Sequence, residues 1–205
     1  MPNRRRLQIS RSGAGLTASL RTLGKVLQHP RRVFESGSLK ASDAVMVVVM
    51  LMLLTALQDV LWAAQSRDSI TTGQVIQQVF LGVLLGWGGL SSLFYFIGRA
   101  TRKAPDFTRL AVLVGVAGLP LLLTTLISVV ITTICLIFGV TDNVETWLQV
   151  HTVLSWVGFA LGWPGWFSGL ALHVGIGYQY RTALIICSAL FILFLAGSYL
   201  PFILQ

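Results

Sequence analysis

A run of 31 residues from Leu110 to Val140 carries no charged side chain. A straight α-helix of that length would be about 46 Å long, whereas the hydrocarbon core of a bilayer is about 30 Å thick. Two membrane spans would need about 40 residues. The run is therefore too long for one straight span and too short for two, and Pro120 lies near its middle.

The composition is that of an integral membrane protein. Hydrophobic residues make up 55% of the 205 residues and charged residues only 11%, whereas soluble domains carry about 25% charged residues. We predict an all-α fold, with a basic segment over 1–40 and a polytopic transmembrane helix bundle over 41–205. The apolar runs predict five spans, at about 44–64, 75–97, 120–138, 153–176 and 183–203.

Pro120 predicts a break in the long apolar run. Proline has no N–H to donate, and its ring clashes with the preceding helical turn. Gly118 lies just before it, which leaves the backbone there loosely specified. Our interpretation is that residues 110–119 form an interfacial helix, which Asp106 can cap, and that the third span begins near Pro120.

The fourth segment also contains a helix breaker. Residues 144–180 are too long for one straight span, and the sequence GWPGW places Pro164 within them. We predict a kink in one tilted span at Pro164. The alternative is a turn between two half-length segments, and a full hairpin would give six spans.

Basic residues are concentrated at the N-terminus, where residues 1–40 hold nine of the 15 Lys and Arg. Alternating the segments between the two sides gives nine, four and one Lys or Arg on one side of the membrane, against one and none on the other. The positive-inside rule then places the N-terminus in the cytoplasm and the C-terminus outside the cell membrane. The basic segment lacks aromatic residues among its charges for stacking on bases, so we expect anionic lipid and not nucleic acid as its partner.

A short amphipathic helix is predicted within this basic segment. Leu16, Leu20, Leu23 and Leu27 have the spacing of one helical stripe. We expect a helix over about 16–28 on the membrane surface, with a soluble docking helix as the alternative. The basic residues predicted to contact anionic lipid are Arg21, Lys25, Arg31 and Arg32.

Several short motifs occur in an order that is typical of one family. They are His29, Pro30 and Phe34 before the first span, a basic loop after the second, Ala117 and Pro120 in the third, and Gly177, Ala183 and Leu184 at the fifth. In this order the chain resembles the Yip domain family, the Ypt/Rab-interacting membrane proteins and their bacterial relatives, over about residues 24–203.

The resemblance implies a five-span protein with a cytosolic N-terminus. It implies membrane trafficking or shaping in eukaryotes and, in bacteria, a membrane accessory that in some cases accompanies ABC-type efflux systems. The D-L-Y-G-P motif of eukaryotic members does not occur in the sequence, which favours the bacterial branch.

Two polar residues inside predicted spans, Asp59 and His173, form the candidate intramembrane polar site. A charge in a span is costly unless it is paired or hydrated, so such a residue is a default candidate for function. The alternatives are that Asp59 reaches the headgroups near the outer end of its span and that His173 is a hydrogen-bond partner between helices.

Two small-residue faces are the candidate packing surfaces. Gly82 and Gly86 in the second span, and Gly158 and Gly162 in the fourth, have G-x-x-x-G spacing, which allows close helix approach. We expect these faces to pack together or, as the alternative, against a partner protein or a second copy.

Catalytic motifs such as G-x-S-x-G and H-E-x-x-H do not occur in the sequence. We therefore expect no enzymatic activity, no metal and no cofactor. The predicted function is a scaffold or accessory subunit of another membrane complex. The alternatives are a small transporter component and a lipid-handling or membrane-shaping protein.

Overall fold

The computed structural model describes residues 4–66, 72–138, 144–163 and 165–203. Within these ranges the regular structure is entirely helical, as predicted for an all-α fold. The helices are α1 (Arg4–Gln28), α2 (Pro30–Glu35), α3 (Ala41–Ser66), α4 (Thr72–Ala100), α5 (Phe107–Ala117), α6 (Leu119–Phe138), α7 (Val144–Leu161), α8 (Trp166–Ile176) and α9 (Tyr180–Ile203).

The N-terminal helix α1 is longer than the predicted 16–28, and its leucine stripe is divided. Leu23 and Val26 are buried, where α1 packs against α2 and α3. Leu16, Leu20 and Leu27 are exposed. One side of α1 is therefore attached to the bundle, while a neighbouring line of leucines remains uncovered.

Helix α3 is the centre of the bundle and contacts α4, α5 and α6. It begins at Ala41, three residues before the predicted start, because the Lys40 N–H donates to the Asp43 carboxylate at 2.9 Å. Val47 and Leu51 on this helix are buried. The carboxylate caps the helix from inside its first turn and so moves its start toward the N-terminus.

The long uncharged run forms two helices, α5 and α6, with a break at Gly118. The Asp106 carboxylate accepts the Thr108 N–H at 2.9 Å, which confirms the predicted cap. α5 does not lie on the outside of the bundle, because it is packed between α3, α4 and α8 and most of its side chains are buried. The physical reason is that this stretch has no polar face, as is typical of a buried helix. The position of residues 110–119 at the membrane interface stays a prediction.

The predicted fourth segment is divided between α7 and α8. α7 packs mainly against α6, whereas α8 packs mainly against α5 and α9. The two helices do not lie side by side, as the halves of a hairpin would. Pro164, where the kink was predicted, lies outside the described residues.

Three helices in the described ranges are long and apolar enough to cross a membrane. They are Ala41–Leu61, Val79–Ala100 and Phe107–Phe138, the last of which comprises α5 and α6 together, and Tyr180–Leu193 is a shorter apolar helix. α7 ends at Leu161 and α8 begins at Trp166, so two shorter helices occupy the predicted fourth span. The described residues therefore form an all-helical bundle with three clear candidate spans, and the number of five spans stays a prediction.

Candidate functional site

The two helix breaks contact each other through Trp163. The Gly118 N–H would bond to the Val114 carbonyl in an unbroken helix, but it bonds to the Gly115 carbonyl instead. The indole Nε1–H of Trp163 donates to the Val114 oxygen at 2.6 Å. The carbonyl that the break releases is thus satisfied by a side chain from the other broken segment. Trp163 itself is buried.

The glycine face of α7 packs against α6. A Cβ atom at Gly158 would lie 3.1 Å from the Leu121 Cα, and one at Gly162 would lie 3.0 Å from the Ala117 carbonyl oxygen. Side chains larger than hydrogen would collide with the backbone there. Gly158 and Gly162 therefore allow close approach of α7 to the α5–α6 break.

The glycine face of α4 is open. A Cβ atom at Gly82 would meet nothing within 4 Å, and one at Gly86 would meet only the Trp163 ring, at 3.6 Å. The two glycine faces therefore do not pack together, contrary to the first expectation from the sequence. The reason is that G-x-x-x-G spacing permits a close helix contact without specifying which helix makes it, and α6 occupies the α7 face.

A cleft of about 400 Å³ separates α4 from α7. Gly82 and Gly86 line one wall, Phe159 and Trp163 line the opposite wall, and α3 and α6 also contribute lining residues. Most of the lining is apolar, and the polar residues in it are Thr55, Gln58, Asp59, Thr125 and Ser155. The cleft thus combines a smooth glycine wall with a small group of hydrogen-bonding side chains.

Asp59 and His173 were predicted as one polar site, and the structure separates them. Asp59 lines the cleft. His173 lies near the end of α8 beside α2, with its Nδ1–H donating to the Tyr178 carbonyl at 2.6 Å and its Nε2 3.7 Å from a Glu35 carboxylate oxygen. The pairing is wrong because α3 ends at one end of the bundle and α8 ends at the other, a difference in depth that residue type does not reveal.

α2 is attached to the bundle by a cluster of side chains around His173, which consists of His173, Glu35, Arg31 and Tyr180. Arg31 donates to the Glu35 carboxylate at 2.7 Å, and this hydrogen bond holds the pKa of Glu35 below its usual value. The same bond raises the pKa of Arg31, whose guanidinium lies 5.5 Å from the centre of the Tyr180 ring. Phe34 packs edge-on against Phe167, with ring centres 6.0 Å apart.

The predicted lipid-contact residues lie at this same end. All four are exposed: Arg21, Lys25, Arg31 and Arg32. Arg31 differs from the others because it is already bound to Glu35. Their contact with anionic lipid stays a prediction.

The described residues include no group of three His, Cys, Asp or Glu side chains that could hold a metal ion. Cys135 and Cys187 are both buried and free. Their burial agrees with their positions in apolar runs.

Sequence reasoning missed the hydroxyl groups of the cleft. Thr55 and Asp59 are four residues apart on α3 and therefore share a helix face, which is a signal that the sequence contained. Thr125 and Ser155 come from other helices, and only the packing brings them to the same cleft.

Fold and composition together define an all-helical integral membrane protein whose candidate site lies within its transmembrane bundle. The Yip1 domain family model matches residues 24–200, which is most of the chain, and the chain therefore belongs to the Yip1 domain family. No curated protein and no solved structure matches it.

Proposed function

We propose that this protein is a non-enzymatic accessory subunit of another membrane complex, and that the α4–α7 cleft receives a transmembrane helix of the partner. The observation that carries the proposal is the open glycine wall of α4. In a bilayer, helices associate through close packing of small residues and hydrogen bonds rather than through exclusion of water. The cleft offers both.

The polar residues of the cleft support a helix as its occupant. The Thr55, Thr125 and Ser155 hydroxyls lie on three different helices around a mainly apolar groove. Hydroxyl groups at such positions hydrogen-bond across helices in membranes. A partner helix would therefore gain specific contacts in addition to the close approach at Gly82.

We further propose that the chain crosses the cell membrane five times, with its N-terminus in the cytoplasm. The five crossings are α3, α4, the broken pair α5–α6, the broken pair α7–α8, and α9. The contact between the two breaks supports this arrangement, because Trp163 of the second broken pair satisfies the carbonyl released in the first. The nine basic residues of the first 40 support the orientation.

A second candidate function is membrane attachment or shaping through α1. The exposed Leu16, Leu20 and Leu27 favour it. Arg21 and Lys25 lie on the opposite side of the same helix, as in an interfacial helix with its apolar side in the membrane. A transport role has weaker support, since the cleft contains Asp59 without His173.

The test is purification of the tagged protein from its native membrane in gentle detergent, with quantitative mass spectrometry of the proteins that accompany it. Gly82→Leu fills the glycine wall. Gly88→Leu makes the same change in open space, six residues further along α4 and about 240° around the helix. We expect one membrane protein to purify together with Gly88→Leu and to be missing from the material purified with Gly82→Leu. Equal recovery with both variants would contradict docking in the cleft.

A further inference from the structure

We propose that the partner helix received by the cleft carries a basic side chain, a lysine or an arginine, that pairs with Asp59. This inference rests on the proposed function and adds the chemistry of the partner. It excludes a second copy of this chain as the occupant of the cleft.

The first support is the environment of Asp59. It lies in the candidate span Ala41–Leu61 and lines the mainly apolar cleft. Among the described residues it makes no salt bridge. An ionisable side chain at membrane depth is costly unless it is paired, and such residues commonly pair with one another. The cleft therefore contains an acid whose counter-charge the described chain does not supply.

The second support comes from the distribution of basic residues along the chain. Residues 41–66, 72–98 and 110–180 contain no lysine or arginine. Arg99 lies in the last turn of α4, and Arg109 and Arg181 lie in the first turns of α5 and α9. All three are at the end of the bundle opposite to the end of α3. A second copy would bring the same stretches, so neither copy supplies a lysine or arginine from within them to the depth of Asp59.

Arg67 is the basic residue that follows Asp59 most closely in sequence, eight positions further on. It lies outside the described residues. Whether it supplies the counter-charge is decided by a separate arm of the test.

The third support is the set of groups around the carboxylate. Thr55 lies one turn before Asp59 on α3, and Thr125 and Ser155 line the same cleft. Their hydroxyl oxygens accept hydrogen bonds, and an ammonium group has three donors. The aliphatic stem of a lysine can lie along the apolar lining while its charged end reaches the acid. The cleft is thus suited to a cation on an apolar stem.

The probe for the test is a synthetic transmembrane peptide in phosphatidylcholine vesicles that contain the full-length protein. The peptide is a leucine- and alanine-rich helix with one G-x-x-x-G motif and a single lysine placed at the expected depth of Asp59. A matched peptide has leucine at that position. Energy transfer between a dye on the protein and a dye on the peptide measures the association.

We expect the lysine peptide to bind about tenfold more tightly than the leucine peptide, which corresponds to about 1.4 kcal/mol. Asp59→Asn should abolish this difference, while Asp68→Asn, the same change nine residues further on, should preserve it. Asp59→Lys should reverse the preference toward a glutamate peptide. The reversal keeps the test decisive if the neutral variant folds poorly.

Several results would overturn the inference. One is a lysine preference that persists in Asp59→Asn. Another is a lysine preference that emerges only in Arg67→Gln. This result would mean that Arg67 is the counter-charge of Asp59 in the unaltered chain. A third is loss of the preference when phosphatidylethanolamine replaces phosphatidylcholine, which would assign the site to a lipid amine.

The same assay separates failure of this inference from failure of the proposed function. If both peptides bind equally and Gly82→Leu weakens both, the cleft docks a helix and only the basic side chain is refuted. If Gly82→Leu changes neither, docking in the cleft is refuted as well.

Discussion

The hydrogen bond between Trp163 and the released Val114 carbonyl gives the sharpest prediction for the fold. Trp163→Phe keeps an aromatic ring at the contact between the two broken segments but removes the N–H. Trp163 is 5% exposed, and its Nε1 lies 2.6 Å from the Val114 oxygen. The variant therefore leaves a carbonyl without its donor in a site with little access to water.

The expected loss of stability is the sum of two contributions. An unsatisfied buried carbonyl costs about 1 to 3 kcal/mol. The smaller ring removes about 40 Å² of buried apolar surface, which adds about 1 kcal/mol at about 25 cal/mol per Å². We expect the free energy of unfolding to fall by about 2 to 4 kcal/mol.

The assay is unfolding in mixed micelles with increasing dodecyl sulfate, followed by maleimide labelling of Cys187. This thiol is 1% exposed in the folded protein, so labelling reports opening of the bundle without relying on tryptophan fluorescence. The control is Trp166→Phe. Trp166 is 38% exposed and donates to the Tyr180 hydroxyl, where water can replace the lost donor, so we expect a change within about 0.5 kcal/mol.

A loss for Trp163→Phe no larger than that for Trp166→Phe would refute the reasoning. It would mean that the Val114 carbonyl finds another donor when the indole is removed. The contact between the two breaks would then not depend on this hydrogen bond.

Three further predictions concern individual residues. Gly158→Ala should destabilise the bundle by about 1 to 3 kcal/mol because α7 would collide with α6. Gly82→Ala should not destabilise it. Equal effects of the two variants in the same unfolding assay would contradict the described packing of α7 against α6. Asp106→Ala should cost about 1 kcal/mol through loss of the α5 cap, seen as faster hydrogen exchange in the first turn of α5. Because Arg31 lowers the pKa of Glu35, the ion pair's contribution is present above the ordinary carboxyl pKa and is lost as the pH falls through the lowered value. Carbon NMR of Glu35 should show its pKa rising toward the usual value in Arg31→Gln.

Local chemistry made some features predictable from the sequence. Pro120 lacks an N–H, so a helix break near it followed from covalent structure, and the structure has the break at Gly118. Asp106 follows Pro105 and precedes an apolar run, which is the pattern of a capped helix start, and the cap is present. Neither feature depends on which helices are neighbours.

Features that depend on helix neighbours were not predictable in the same way. The partner of the released carbonyl is Trp163, which lies 49 residues from Val114. The glycine spacing of α4 and α7 identified both faces correctly as smooth, but it contained no information about which helix would approach each one. The pairing of Asp59 with His173 failed for the same reason, because two polar residues in different spans share a site only if their depths agree.

The central claim is that the cleft binds a helix of another protein, and site-specific photocrosslinking in the native membrane tests it most directly. A photoreactive residue is placed at Ser155, which lines the cleft, or at Ile185, an exposed position on α9 that is not among the residues lining the cleft. The account predicts a crosslink to one defined membrane protein from Ser155, its loss when Gly82→Leu is added, and no such product from Ile185. Lipid adducts alone from both positions, or the same protein from both, would contradict it.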